Sequence, residues 1–98
     1  MIRGTTPTNI FNVDADMRTA SAIYITYDQD GTTIFEKELE DITVEEKKLT
    51  VTLTQEETLK LKPMKTRIQI RAKFPDDSAI ASNIIETTAS AILKDGVI

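Results

Sequence analysis

Apolar and polar residues alternate along most of this chain, and a repeat of two residues is the pattern of a β-strand with one buried face. Residues 49–54 read Leu-Thr-Val-Thr-Leu-Thr, and residues 67–74 read Arg-Ile-Gln-Ile-Arg-Ala-Lys-Phe. Residues 22–27 follow the same pattern and are rich in β-branched and aromatic side chains, which favour strands. The short spacing of these runs predicts an all-β sandwich rather than alternating strands and helices.

Three further strands complete the predicted set. Residues 34–39 continue the alternation, and we expect Glu36, Lys37 and Glu38 to lie on the solvent side of that strand. The other two strands are expected near 8–13 and 80–85. These six runs, with the last strand that 89–98 could add, predict about seven strands around one core. The expected core members are Ile23, Ile25, Tyr27, Phe35, Leu49, Val51, Leu53, Leu59, Ile68, Ile70 and Phe74.

Turn and cap residues separate the predicted strands. Asp30-Gly31 lies between two strands and predicts a tight hairpin, because glycine tolerates the positive φ of a type I′ turn. Residues 75–78, Pro-Asp-Asp-Ser, predict a second hairpin. Thr54 and Glu57 match a capping box, which predicts one short helical turn over about 54–61.

A length of 98 residues provides for one domain, 1–98, with a single thin core. We expect the apolar segment 89–98 to form either a last strand or a docking tail. There is no run of about 18 apolar residues, so no membrane contact is expected. No signal peptide is evident, so we expect the chain to be made in the cytoplasm.

Composition argues against enzymatic activity. The chain has no cysteine and no histidine, which removes the commonest nucleophile–base pairs and the commonest metal ligands. With three glycines it lacks a phosphate-binding loop as well. We therefore expect no catalytic residues, no cofactor and no metal. The net charge of −4 lacks the basic footprint of a nucleic-acid-binding protein.

Two close pairs of carboxylates are the remaining candidates for a catalytic or metal-binding site. Asp14 with Asp16, and Asp76 with Asp77, have no visible partner and lie where turns and caps favour aspartate. The acidic residues of 36–46 form either a solvated hairpin arm or a docking surface for a basic partner. We expect turn and solvent roles for these carboxylates.

The candidate interface residues fall in two groups. Arg67, Gln69, Arg71 and Lys73 share one face of a strand, where they either pair with acidic neighbours such as Glu36 and Glu38 or contact another protein. The second group is the apolar part of the tail: Ile92, Leu93, Val97 and Ile98.

The order of motifs along nearly the whole chain resembles a known family. The matching segments are an opening strand after Arg3-Gly4-Thr5, then 16–20, 22–27, Asp30-Gly31, 49–57, 68–76 and 80–84. In that order they resemble the small immunoglobulin-like (Ig-like) domain at the N-terminus of phage baseplate upper proteins. They also resemble stand-alone proteins of similar size among the prophage tail genes of Gram-positive bacteria. This sequence departs from the family pattern in two places: Asp77 stands where such domains usually have glycine in the second hairpin, and Pro63-Met64 stands where a glycine often precedes the following strand.

The resemblance implies an Ig-like antiparallel β-sandwich that serves as a non-enzymatic assembly part of a phage or prophage-derived tail or baseplate. Its partners would be other tail or baseplate proteins, with a homo-oligomer as a candidate assembly. It would be a virion component made in the bacterial host cytoplasm. No catalytic residues are carried over from the family.

Two alternatives from other classes remain open. A tail-tip module that binds carbohydrate or the cell surface would suit the same fold, although such sites stack sugars on aromatic residues and the chain has no tryptophan. A small acidic inhibitor from a mobile element would present carboxylates, including Glu45 and Glu46, to a basic target.

Overall fold

The fold consists of two antiparallel sheets, seen in a computed structural model that describes all of residues 1–98. The elements in chain order are β1 (Thr8–Asn12), β2 (Ala22–Gln29), β3 (Thr32–Glu38), a 3₁₀ turn (Leu39–Asp41), β4 (Thr43–Val44), β5 (Lys48–Thr52), α1 (Gln55–Leu59), β6 (Lys65–Lys73), β7 (Ala79–Ala81) and β8 (Ile85–Thr88). One sheet has the order β1-β5-β4. The other has the order β3-β2-β6, with both β7 and β8 along the far side of β6.

This arrangement confirms the predicted Ig-like antiparallel sandwich, with eight strands in place of about seven. β2 and β3 form a hairpin in one sheet, whereas β5 pairs with β1 and β4 in the other, so the chain crosses between the sheets after β1, after β3 and after β5. The apolar faces of both sheets turn toward each other and enclose one cluster of buried residues. No helix is long and apolar enough to cross a membrane.

The predicted turns form where the sequence places them. Asp30 and Gly31 both adopt positive φ, +52° and +79°, which is the geometry of a type I′ hairpin between β2 and β3. Asp77 adopts φ +68° in the second hairpin. α1 begins after Thr54, whose hydroxyl accepts a hydrogen bond from the Glu57 amide while the Glu57 carboxylate accepts one from the Thr54 amide.

The predicted strand near 80–85 divides into two. β7 pairs with the end of β6 at Arg71–Lys73, and β8 pairs with its beginning at Lys65–Ile68. Between them, the Ile70 amide donates to the side-chain Oγ of Ser82 at 3.0 Å, where a continuous strand would offer a backbone carbonyl. β7 and β8 are therefore two halves of one interrupted edge strand.

Nine of the eleven expected core residues are buried, whereas Leu59 and Phe74 are only half-buried. The core also includes Ala72, which belongs to the alternating run 67–74, and residues outside the expected set: Phe11, Met17, Ile42, Leu61 and Ala89. Among buried polar residues, the Gln29 side chain holds the loop before β6 by accepting from the Lys62 amide and donating to the Lys62 carbonyl.

The expectation that Lys37 faces solvent is wrong. Phe35 is buried, and because strand side chains alternate, Lys37 on the same strand must also point into the sandwich. Its side chain is only 10% exposed, and its Nζ lies 2.8 Å from Oε1 of Glu57 on α1. Glu36 and Glu38 are exposed as expected.

Candidate interaction surfaces

The cationic side chains of β6 lie on the outer face of the five-stranded sheet. Along β6, Arg67, Arg71 and Lys73 are exposed and Gln69 is half-buried, while Ile68, Ile70 and Ala72 point inward. Arg67 Nε lies 3.4 Å from Asp28 Oδ1 on β2, and Lys73 Nζ lies 3.2 Å from Asp77. Arg71 forms no ion pair. These four side chains therefore share one face of β6, as the alternation predicts.

The acidic neighbours expected for this row, Glu36 and Glu38, are not its contacts. Both residues lie on β3, and β2 separates β3 from β6. Tyr24 is opposite Glu38 on one side and Arg71 on the other, and Thr26 is opposite Glu36 and Gln69 in the same way. Glu36 instead accepts a hydrogen bond of 2.7 Å from the Thr26 hydroxyl.

A groove opens along the seam where β1 faces β7 and β8. β1 pairs only with β5, so its other edge has no strand beside it. The groove has a volume of about 740 Å³, and its lining includes Phe11, Met17 and Ile70 at the base. Ile10, Ile80 and Ile85 line its rim and are 58%, 39% and 40% exposed. Alternation alone did not indicate this groove, because it is formed by the edges of strands that are distant in the chain.

The segment 89–98 belongs partly to the fold and partly to the surface. Ala89 is buried, its amide donates to the Met64 carbonyl, and Ser90 forms a parallel bridge with Ile2. Leu93, Val97 and Ile98 are exposed, whereas Ile92 is half-buried beside Gly4. The end of the chain is held by two hydrogen bonds between the Ile98 backbone and the Gln55 side chain. It forms no strand beyond Ser90.

Two truncations should separate these two parts. Removal of 93–98 deletes exposed side chains, the two hydrogen bonds of Ile98 with Gln55 and a long 3.7 Å ion pair of Asp95 with Arg3, so we expect the free energy of unfolding to fall by less than about 1 kcal/mol. Removal of 89–98 also deletes buried Ala89 and the backbone hydrogen bonds between the chain ends, so we expect a loss of about 2–4 kcal/mol. Urea unfolding measures both values, and equal losses would contradict this division.

A polar cluster inside the sandwich joins the two sheets, and the sequence did not reveal it. Asn9 on β1 donates a 2.8 Å hydrogen bond to the hydroxyl of Tyr27 on β2. Burial raises the pKa of Tyr27 to about 12, against the lowering effect of that hydrogen bond. Burial would also raise the pKa of Glu57, but hydrogen bonds from Lys37 and Thr54 outweigh it and hold that pKa below its usual value.

One member of each carboxylate pair, Asp16 and Asp76, forms local hydrogen bonds within a turn. Asp16 accepts hydrogen bonds from the side chain and amide of Arg18, and these bonds lower its pKa to about 2. Asp76 accepts from the Ser78 hydroxyl and amide, which lowers its pKa too. No three carboxylates, histidines or cysteines meet in a metal-binding arrangement.

The fold and its surfaces define a small Ig-like β-sandwich with an open apolar seam, a charged sheet face and an exposed apolar end. Comparison with family models, with curated proteins and with solved structures finds no match to this chain.

Proposed function

We propose that this protein is a non-enzymatic assembly component of a phage or prophage-derived tail or baseplate, and that it acts through protein–protein contacts. The observation that carries the proposal is the open seam. Three isoleucines, at positions 10, 80 and 85, are exposed to solvent around one groove. A contiguous apolar surface of this kind is typical of sites that another protein covers. The tail or baseplate setting rests on the family resemblance.

The free edge of β1 supports a specific mode of contact. An exposed strand edge offers unpaired backbone groups, and an extended segment of another protein can pair with it as an added strand. The side chains of that segment would alternate, so that every second one enters the groove beside Ile10 and Ile80. We expect the partner segment to be extended, with apolar residues at alternate positions.

Photo-crosslinking in purified tail particles tests this function. With p-benzoylphenylalanine in place of Ile10, we expect the protein to be found in the particles and to crosslink to one neighbouring particle protein. The same probe in place of Glu40, which is exposed on the 3₁₀ turn and does not line the groove, should give no such product. Absence of the chain from the particles, or equal crosslinking at both positions, would contradict the proposal.

A matched pair of lysine substitutions tests the seam itself. Ile10→Lys places a charge at the groove, and we expect it to reduce incorporation into particles at least tenfold. Thr8→Lys changes the same exposed face of β1 outside the groove lining and should be incorporated normally. Both positions are exposed, so neither substitution should unfold the protein. Normal incorporation of Ile10→Lys would count against the seam as the contact.

The carbohydrate-binding alternative has one feature in its favour. Tyr24 is 43% exposed at the centre of the charged sheet face, where an aromatic ring could stack on a sugar. A glycan array with the wild-type protein and Tyr24→Ala tests it: one ligand lost on substitution would favour this function over assembly.

A further inference from the structure

The outer face of the five-stranded sheet carries charges of opposite sign on either side of β2. Glu36 and Glu38 point outward from β3, and Gln69 and Arg71 occupy the matching positions on β6. In one row across the sheet the order is Glu38, Tyr24, Arg71. Neighbouring strands lie about 4.8 Å apart, so acid and base stand at about equal distances from Tyr24.

These charges have no ion-pair partners within the chain. Glu36, Glu38 and Arg71 take part in none of the protein's salt bridges. Two strand spacings, about 10 Å, separate the backbones that carry Glu38 and Arg71, and Tyr24 stands between them. The other two cationic residues on this face of β6, Arg67 and Lys73, are instead paired with Asp28 and Asp77.

We propose that this face binds a second copy of the same chain about a two-fold axis that runs parallel to β2. Such a rotation exchanges the two sides of β2, so Glu38 of each copy lies opposite Arg71 of the other. Tyr24 then lies opposite Tyr24 of the second copy, and the two rings supply apolar contact at the centre. The contact is isologous and closes at two copies.

The charge pattern is what selects a second copy as the occupant. A face with acid on one side and base on the other complements itself under this rotation, whereas a shift of the second copy by one strand would place Arg71 or Glu38 opposite Tyr24 and would break both ion pairs. The contact covers about three strands, which is a small interface, so we expect weak association that salt weakens further. This inference deepens the proposed function, on which it rests for its role in assembly.

Charge reversal tests the inference with an internal rescue. Glu38→Arg and Arg71→Glu each place like charges in both copies of the contact, and we expect either change to weaken self-association at least 100-fold. An equimolar mixture of the two variants restores both ion pairs, so we expect a dimer with one chain of each kind. The double variant Glu38→Arg/Arg71→Glu should dimerise with itself.

Sedimentation velocity between about 10 μM and about 1 mM, with native mass spectrometry of the mixture, measures these outcomes. Glu56→Arg and Lys47→Glu are the matched controls, because both residues are exposed, form no ion pair and lie outside the five-stranded sheet, on α1 and between β4 and β5. They should leave association within about twofold. Association in the mixture also shows that both variants are folded.

A wild-type protein that stays monomeric at all these concentrations would overturn the inference, as would a mixture that fails to associate. The outcome is separable from that of the proposed function, which depends on the seam. If the wild-type protein forms no dimer but the probe at position 10 still crosslinks in particles, only the two-fold contact is rejected. A dimer without any crosslink in particles rejects only the assembly role.

Discussion

Replacement of Tyr27 by alanine is expected to lower the free energy of unfolding by about 3–5 kcal/mol. The Tyr27 side chain is completely buried, and its ring stacks on Phe35 with centroids 4.5 Å apart. The substitution leaves a cavity between the sheets and removes the partner of the Asn9 amide. A domain of this size has about 5–15 kcal/mol of stability in total, so we expect a fall in the thermal midpoint that is easy to measure.

Two further variants isolate the cause of that loss. Tyr24→Ala changes the same residue type on the same strand but on its outer face, so we expect a loss below about 0.5 kcal/mol. Tyr27→Phe keeps the ring and removes the hydroxyl, so we expect a loss of about 1 kcal/mol from the hydrogen bond with Asn9. Equal losses for Tyr27→Ala and Tyr24→Ala would show that the sheet orientation described above is wrong.

Replacement of Glu57 by glutamine is expected to cost about 2 kcal/mol, because it leaves Lys37 buried without an opposite charge. The two side chains are 10% and 18% exposed, which is less than full burial, so the loss should fall below that of a completely buried pair. Glutamine keeps an acceptor for the Thr54 amide, which preserves much of the helix cap. The control is Glu56→Gln, an exposed neighbour with no ion pair, for which we expect less than about 0.5 kcal/mol.

The same pair predicts how stability depends on pH. The pKa of Glu57 in the folded protein lies below its usual value of 4.5. As the pH falls, Glu57 therefore binds a proton in the unfolded chain before it does so in the folded protein. The stability that the charged Glu57 contributes is fully present above about pH 4.5 and is lost as the pH drops through the folded pKa. Unfolding of wild type and Glu57→Gln at pH 7 and at pH 3 measures the difference. A difference that does not shrink at pH 3 would contradict the ion pair.

The local pattern of the sequence was enough to predict the sandwich. Alternation in 22–27, 49–54 and 67–74 correctly assigned Ile25, Leu49 and Ile70 to the core, because side chains on a strand must alternate between two faces. Asp30-Gly31 predicted the first hairpin, since its backbone dihedral angles are set by the two turn residues themselves. Thr54 and Glu57 predicted the start of α1 for the same reason: both hydrogen bonds of the cap lie within four residues.

Tertiary structure alone decided which charges meet and where the surface stays open. Lys37 is buried because Phe35 sets the inward positions of β3, and it is tolerated there because α1, twenty residues later in the chain, brings Glu57 within 2.8 Å. Glu36 and Glu38 do not contact the cations of β6, because β2 lies between the two strands. The seam along β1 and the interruption between β7 and β8 depend in the same way on which strands become edges. These outcomes depend on pairing between distant segments, whereas alternation, turns and caps depend on a few adjacent residues.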